Sequence, residues 1–233
     1  MQGCDSLKDG AVKIYLDSAH VGSWKLPSGC PAVRGVTTNP SLVHQAGLPV
    51  NLPAYLDLLR AAADHAFAEL MLQLPSSDLT QAESWLGSLR ELSQRLSVQL
   101  TVKLPCAPDW EACIRWVKAQ GQDVLLTGLS NPVQLLWARD MGADYVAPYV
   151  GRLVNDGRNV WALMQACVTQ QGSGPQLLAA SIKSPDVLAQ LMGLGAAAVT
   201  LPPASLLAWS TDALTQAAIQ QFDRDVQASL RSA

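Results

Sequence analysis

Eight short apolar runs recur along the chain, and segments with a different periodicity separate them. Most runs are continuously apolar, which is typical of strands that are buried on both faces. The intervening segments repeat apolar residues every three or four positions, as the buried face of a helix does. The predicted strands cover residues 13–17, 32–37, 68–74, 100–104, 124–127, 145–150, 176–180 and 197–201. The clearest predicted helices cover residues 53–67, 79–96 and 110–119.

Two stretches depart from this alternation. Residues 18–33 contain Gly22, Pro27, Gly29 and Pro31, so at most a short helix is expected there. Residues 187–211 carry no charge and are long enough to span a bilayer, but two glycines and the pair Pro202-Pro203 interrupt them. We therefore expect a helix, a turn, a strand and a second turn in this stretch, and no membrane span.

Strands that alternate with helices over this length predict a single (β/α)₈ TIM barrel for residues 13–233, after a polar extension of residues 1–12. A doubly wound open sheet is the alternative, but the chain lacks the glycine-rich first turn of a nucleotide-binding fold. Residues 211–230 are expected to form an additional C-terminal helix. Its apolar stripe packs either on a neighbouring subunit or on the chain's own barrel, and consists of Leu214, Ala218, Phe222, Val226 and Leu230.

Composition narrows the classes of function. Only 15% of the residues are charged and 49% are hydrophobic, so the chain can bury a large core. A net charge of −3 without a cluster of basic residues argues against nucleic acid or an anionic membrane as a partner. Five cysteines without a C-x-x-C motif, and a polar start without a secretory signal, favour free thiols in the cytoplasm. Three isolated histidines without metal-ligand spacing argue against a zinc site.

One lysine, Lys103, lies inside an apolar predicted strand. Lysine is rarely fully buried without a partner, and an ammonium in apolar surroundings tends to lose its proton. A neutral lysine amine is a nucleophile that forms Schiff bases with ketones and aldehydes. The alternative is a lysine on a sheet edge, where it discourages edge-to-edge pairing.

Polar residues follow most of the predicted strands, where the active sites of such barrels lie. Each of them also has a structural explanation, such as a helix cap for Asp17 or a plain turn for Asn39. Their coincidence at seven strand ends nevertheless favours one active site, in which Arg152 and Ser181 could hold a phosphate. The residues are Asp17, Asn39, Gln73, Lys103, Thr127, Tyr149 with Arg152, and Ser181.

These residues resemble the transaldolase family, and within it the short-chain branch that includes fructose-6-phosphate aldolase. The resemblance runs from about residue 12 to residue 226, and its most specific segment is Gly-Val-Thr-Thr-Asn-Pro-Ser at residues 35–41. The other matching segments are residues 14–18, 101–105, 145–152 and 179–185. Members of the family have the (β/α)₈ fold that the strand pattern predicts independently.

The resemblance implies a role for each residue. Lys103 would be the Schiff-base nucleophile, Asp17 would tune it, and Asp17 and Asn39 would hold the hydroxyls of a dihydroxyacetone unit. Gln73, Thr127 and Tyr149 would position a water molecule for proton transfer. The remaining positions would bind substrate, with Arg152 and Ser181 on its phosphate and Thr37 and Leu125 beside it. No metal or organic cofactor is implied.

The resemblance leaves two activities open. The preferred one is aldol cleavage of fructose 6-phosphate into dihydroxyacetone and glyceraldehyde 3-phosphate, because similar transaldolases usually carry glutamate, asparagine and phenylalanine where this chain has Gln73, Leu125 and Tyr149. The alternative is transfer of the dihydroxyacetone unit between sugar phosphates, as a transaldolase does. A non-catalytic sugar-phosphate-binding barrel stays open as a different class. Similar members of the branch form pentamers and decamers, so a homo-oligomer is expected.

Overall fold

The computed structural model describes residues 11–231 as one closed barrel of eight parallel strands. Each strand pairs with its neighbours in chain order, and the first strand pairs with the eighth to close the barrel. The predicted (β/α)₈ TIM barrel is therefore confirmed. The strands are β1 (Lys13–Asp17), β2 (Gly35–Thr37), β3 (Glu69–Gln73), β4 (Gln99–Pro105), β5 (Asp123–Leu129), β6 (Tyr145–Pro148), β7 (Gln176–Ala179) and β8 (Ala198–Leu201).

Helices follow every strand except β1, whose connection to β2 contains only a short 3₁₀ turn at Val21–Ser23. This agrees with the glycines and prolines of that connection. The helices are α1 (Pro40–Gln45), α2 (Leu52–Asp64), α3 (Leu79–Leu96), α4 (Glu111–Ala119), α5 (Pro132–Asp140), α6 (Val150–Asn155), α7 (Val160–Gln170), α8 (Pro185–Leu194), α9 (Pro203–Trp209) and α10 (Ala213–Arg231). A further 3₁₀ turn, Pro108–Trp110, precedes α4.

Most of the longer helices begin at a side chain that accepts a hydrogen bond from the backbone of the first turn. Such a cap satisfies a backbone N–H that has no partner inside the helix. Proline follows several of these caps, where its missing N–H costs nothing. The capping residues are Asn39, Asn51, Asp78, Asn131, Asn159 and Ser184.

The strand after α8 is followed by a helix and not by the turn that the sequence suggested. Pro202 is extended and Pro203 begins α9, because a proline fits the first turn of a helix as readily as it fits a turn. In the described part of the chain, no helix is both long enough and apolar enough to cross a membrane. Residues 1–10, which make up most of the predicted polar extension and include Cys4, lie outside the described residues.

The main core lies between the outer face of the barrel and the surrounding helices, and a second apolar cluster fills the barrel interior. This inner cluster consists of Tyr15, Met71, Leu125, Tyr145, Ala147, Leu178 and Ala198. Gly35 marks a close approach between β2 and β3, since a Cβ atom at this position would overlap the Glu69 carbonyl oxygen of β3. The barrel is therefore packed through its centre, and a substrate could reach polar side chains only at its ends.

Helix α10 buries none of its residues against the barrel. Leu214 is 82% exposed and Phe222 is 64% exposed, and the other large apolar residues of the stripe are also exposed. Packing of the stripe on the chain's own barrel, one of the two interpretations of this segment, is thus wrong. An apolar groove of about 560 Å³ lies elsewhere on the outside of the barrel, between β1, β8, α8 and α9, with Ile14, Leu188, Met192, Leu201 and Trp209 among its lining residues.

Candidate active site

Lys103 lies on β4 with only 5% of its surface exposed. Burial lowers the pKa of its amine from 10.5 to about 8, and the nearby carboxylate of Asp17 opposes this shift without cancelling it. In register, Lys103 lies opposite Gln73 of β3 and Leu125 of β5. Roughly a tenth of the amine is therefore neutral at pH 7 and about half at pH 8, and the neutral form is the one that acts as a nucleophile.

The amine of Lys103 donates a hydrogen bond to the backbone carbonyl of Thr38, at 2.6 Å. Thr38 follows β2 and is fully buried, and its own hydroxyl has no hydrogen-bond partner among the described residues. The carbonyl thus fixes where the nitrogen lies, because a buried donor seldom gives up its acceptor.

Asp17 ends β1 and belongs to a chain of hydroxyl groups. Its Oδ1 accepts a hydrogen bond from Thr37 Oγ1 at 2.9 Å, and Thr37 Oγ1 lies 2.7 Å from Thr200 Oγ1 on β8. A hydroxyl has one proton to give, so Thr37 donates to Asp17 and accepts from Thr200. These two hydroxyl groups orient the carboxylate of Asp17, which is the charged group that acts on Lys103.

Asn39 combines a structural position with a place at the same end of the barrel. Its Oδ1 accepts a hydrogen bond from Leu42 N at 3.0 Å and caps α1, so Asn39 begins a helix and not the plain turn that the sequence also allowed. The side-chain nitrogen of Asn39 donates to no described residue. It is therefore the part of the side chain that a substrate hydroxyl could use.

Thr127 and Tyr149 form a second polar pair at this end. Thr127 Oγ1 lies 2.7 Å from Tyr149 OH, and either group can be the donor. Gln73 ends β3 and is half-buried, with its backbone carbonyl accepting a hydrogen bond from Tyr55 OH at 3.0 Å. The side chains of Thr127 and Tyr149 thus meet directly, whereas the side chain of Gln73 contacts neither of them through a hydrogen bond.

Arg152 and Ser181 lie beyond β6 and β7 respectively. The Arg152 guanidinium is 4.5 Å from the centre of the Tyr149 ring and is exposed at the surface. Ser181 adopts the left-handed conformation with a φ of 59°, and its carbonyl accepts a hydrogen bond from Gly151 N at 2.9 Å. A Cβ at Gly151 would come within 2.6 Å of that carbonyl, so α6 and the loop after β7 are in close contact.

Sequence reasoning missed two residues beside this site. Thr200 is the single polar residue of the apolar strand β8, and a polar residue alone in such a strand could have been recognised in the sequence as a candidate site residue. Thr38 acts through its backbone carbonyl, which no side-chain pattern can reveal. Among residues 11–231, no group of three or more His, Cys, Asp or Glu side chains is arranged to hold a metal ion.

A parallel barrel with a desolvated lysine amine among carboxylate and hydroxyl groups is the arrangement expected of an enzyme that forms Schiff bases. Residues 14–233 match the family described as transaldolase/fructose-6-phosphate aldolase. The chain therefore belongs to this family.

Proteins over nearly the same length are similar in sequence and are each named "Probable transaldolase". The protein from Cereibacter sphaeroides is 28% identical over 217 residues, which cover 92% of this chain and 95% of the relative. The protein from Paracoccus denitrificans is 27% identical over 217 residues, which cover 92% of this chain and 96% of the relative. The protein from Rhodospirillum centenum is 29% identical over 220 residues, which cover 93% of this chain and 91% of the relative.

Solved structures support the fold alone. A structure described as "Native KDPGal structure" superposes with a TM-score of 0.55 at 15% identity and covers 94% of this chain and 100% of its own. A designed cube-shaped protein cage also superposes with a TM-score of 0.55 at 15% identity, covering 95% and 78% of the two chains. Identities this low carry no information about substrate.

Proposed function

We propose that the chain is a Schiff-base enzyme that binds a dihydroxyacetone unit covalently through Lys103. The observation that carries the proposal is the buried amine, whose pKa burial lowers to about 8. Asp17 and Asn39 would hold the hydroxyls of the bound unit. Arg152 and Ser181 would bind the phosphate at the far end of the sugar, with Thr37 and Leu125 lining the cleft between them.

The chemistry begins with attack of the neutral amine on the C2 ketone of fructose 6-phosphate. Loss of water gives an iminium, which draws electrons from the C3–C4 bond. A water held by Tyr149, Thr127 and Gln73 takes the proton of the C4 hydroxyl, the bond breaks, and glyceraldehyde 3-phosphate leaves. Positioned proton transfer of this kind is worth roughly 10²–10⁴-fold in rate.

The enamine that remains on Lys103 has two possible fates. Protonation and hydrolysis release dihydroxyacetone and regenerate the lysine, which completes an aldolase cycle. Attack on the carbonyl of erythrose 4-phosphate forms the C–C bond of sedoheptulose 7-phosphate as an iminium on Lys103, and hydrolysis of this iminium releases the product, regenerates the lysine and completes a transaldolase cycle. Both cycles share every step up to this enamine.

The residues of the site favour release. Gln73 cannot titrate, so a proton must travel through the water beside the phenol of Tyr149, whose hydroxyl lies 2.7 Å from Thr127 Oγ1. A water held there is also placed to protonate the enamine. This supports the aldolase as the activity that the geometry favours.

The names of the relatives favour the transaldolase more than the aldolase. All three proteins described above are named "Probable transaldolase" and match over more than nine-tenths of their length. Transfer of the dihydroxyacetone unit is therefore the second candidate, with the same residues in the same roles up to the enamine.

The two candidates are separated by cleavage of fructose 6-phosphate with and without erythrose 4-phosphate. An aldolase releases glyceraldehyde 3-phosphate and free dihydroxyacetone at the same rate in both reactions. A transaldolase releases glyceraldehyde 3-phosphate at an appreciable rate only with erythrose 4-phosphate present, and sedoheptulose 7-phosphate accumulates. A barrel that only binds sugar phosphates gives neither product.

We also propose that the protein is a homo-oligomer, a pentamer or a decamer, in which α10 packs on a neighbouring subunit. The 19-residue helix is about 28 Å long, at roughly 1.5 Å per residue, and the large apolar residues of its stripe are exposed in the part of the chain that the structure describes. The groove of about 560 Å³ beside Ile14, Leu188 and Trp209 is an apolar surface that such a helix can fill. A second copy of the chain therefore supplies the missing cover for both surfaces.

A further inference from the structure

Glu69 is a carboxylate that the proposed chemistry does not use, and it is fully buried on β3 inside the barrel. Both of its oxygens accept short hydrogen bonds. Oε1 accepts from Thr101 Oγ1 at 2.6 Å, and Oε2 accepts from Tyr15 OH at 2.7 Å and from Arg34 Nε at 3.0 Å. A buried carboxylate that is paired with Arg34 and accepts from two hydroxyl groups is held in place, since a buried carboxylate oxygen that loses its donor carries a desolvation cost.

The two strands that Glu69 joins are those that carry the candidate nucleophile and its carboxylate. Tyr15 lies on β1 two residues before Asp17, and Thr101 lies on β4 two residues before Lys103. Side chains two residues apart on a strand point to the same face, which here is the barrel interior. β1 and β4 are not neighbours in the barrel, so Glu69 supplies a link between them that strand pairing does not.

We infer that Glu69 is a positioning residue, which holds β1 and β4 in the relative register that sets the distance between Asp17 and Lys103. The inference rests on the proposed function, because it assigns a role to the spacing of two residues proposed to act there. Glu69 itself contacts neither of them through a hydrogen bond, and acts through Tyr15 and Thr101.

The protonation of Lys103 reports this spacing. The carboxylate of Asp17 is the charged group that raises the pKa of the amine against the effect of burial. Other titratable groups in the interior or at the base of the barrel are Tyr15 and Lys13 of β1, Arg34 before β2, Glu69 of β3 and Tyr145 of β6, and Tyr149 lies at the end of the barrel that carries Lys103. Burial and the Glu69 carboxylate raise the pKa of Tyr15, so this phenol stays protonated and donates throughout the neutral range.

The test removes one arm of the link without emptying the space. Thr101→Val replaces the hydroxyl by a methyl of the same shape, and Thr101→Ser keeps the hydroxyl as the conservative rescue. Ser93→Ala is the matched control, because Ser93 Oγ also donates a buried 2.6 Å hydrogen bond, to the Val98 carbonyl outside the barrel interior. Tyr15→Phe tests the other arm if Thr101→Val does not fold.

Two measurements are made on each folded variant. The pKa of Lys103 is measured by the pH dependence of its acetylation with acetic anhydride, followed on the Lys103 peptide by mass spectrometry. The kcat and KM for fructose 6-phosphate cleavage are measured in parallel. The first measurement needs no catalysis, so it tests the link even if the proposed function fails in the unaltered enzyme.

In Thr101→Val we expect the pKa of Lys103 to fall, because Asp17 is no longer held close, and kcat to fall roughly ten- to a hundred-fold with KM unchanged. Thr101→Ser and Ser93→Ala should keep the parent values. An unchanged pKa in Thr101→Val, or in Tyr15→Phe where Thr101→Val does not fold, overturns the inference. An equal shift in Ser93→Ala also overturns it, since the effect would then be a general loosening of the barrel.

Discussion

The guanidinium of Arg152 lies 4.5 Å from the centre of the Tyr149 ring, and the backbone N–H of Arg152 donates to the Tyr149 carbonyl at 3.0 Å. A cation over an aromatic face is attracted to it by roughly 0.5–1 kcal/mol at an exposed site. The residue proposed to bind phosphate therefore supports the residue proposed to hold the catalytic water. If both proposed roles hold, phosphate binding and proton transfer depend on one pair of side chains in contact.

Arg152→Ala should raise KM for a phosphorylated acceptor aldehyde far more than KM for an unphosphorylated one. A charge-assisted contact to phosphate contributes roughly 1.5–3 kcal/mol, or about ten- to a hundred-fold in affinity. Steady-state kinetics with glyceraldehyde 3-phosphate and glyceraldehyde as acceptors for dihydroxyacetone measures the difference. The control is Arg139→Ala, since Arg139 pairs with Asp140 at the surface. Equal losses for both acceptors would place the phosphate elsewhere.

Lys103→Met should abolish covalent trapping of dihydroxyacetone by borohydride and abolish activity, while the protein stays folded. Methionine keeps the length of the side chain and removes the amine. Mass spectrometry of the peptide that contains Lys103 detects the adduct, and Lys118→Met, which removes a half-buried lysine paired with Asp144, should retain it. Trapping that persists in Lys103→Met would exclude Lys103 as the nucleophile.

The lowered pKa of Lys103 also predicts a pH dependence of stability. The unfolded chain binds a proton at this lysine up to about pH 10.5, whereas the folded chain releases it near 8, so stability rises with pH between these values. Below pH 8 the buried charge destabilises the fold by its full amount, roughly 3 kcal/mol for a shift of this size. Urea unfolding of the parent and of Lys103→Met from pH 7 to 10 should show the parent gaining stability relative to the variant. Parallel curves would mean that the folded amine keeps an ordinary pKa.

Tyr149→Phe should slow aldol cleavage sharply and shift the products towards transfer. The change removes the phenol that lies 2.7 Å from Thr127 and that would hold the water. The ratio of free dihydroxyacetone to sedoheptulose 7-phosphate measures the partition, in which about 1.4 kcal/mol corresponds to a tenfold change. Thr127→Val breaks the same hydrogen bond, so the double variant should lose little more than either single one. A product ratio that does not change would show that Tyr149 does not set the fate of the enamine.

Light scattering should give the mass of a pentamer or a decamer for the parent chain. Phe222→Asp, which places a charge in the apolar stripe of α10, should dissociate it or weaken it strongly. Gln220→Asp adds the same charge outside the stripe and serves as the control, with assembly retained. A stable monomer for the parent would refute the proposed packing of α10.

The fold was predictable because the chain alternates two clear periodicities. Strand β1 and helix α3 have the predicted bounds, since apolar runs and caps coincide at their ends. Strand β2 is shorter than predicted and begins only at Gly35, because the apolar residues before it lie in the connection and pair with nothing as strands. The surface on which α10 packs could not be predicted, since an apolar stripe indicates that a helix packs on another surface but not whether that surface belongs to the same chain or to a neighbouring subunit.

Part of the candidate site could also be predicted. Polar side chains near strand ends can be recognised in the sequence because they interrupt an apolar run, and Lys103 is the clearest case. Glu69 breaks a run in the same way, but it lies at the start of its strand, where barrels carry structural residues. The Thr38 carbonyl contact depends on three-dimensional placement alone.

Ser181 has an unfavourable backbone conformation. A non-glycine residue in the left-handed region costs roughly 1–2 kcal/mol relative to glycine, which adopts it freely. Glycine at this position would strengthen the fold and remove the hydroxyl that is proposed to contact phosphate. On the proposed role of Ser181, one substitution would raise the stability of the fold and lower the affinity for phosphorylated sugars, so selection for heat resistance at this position would weaken substrate binding.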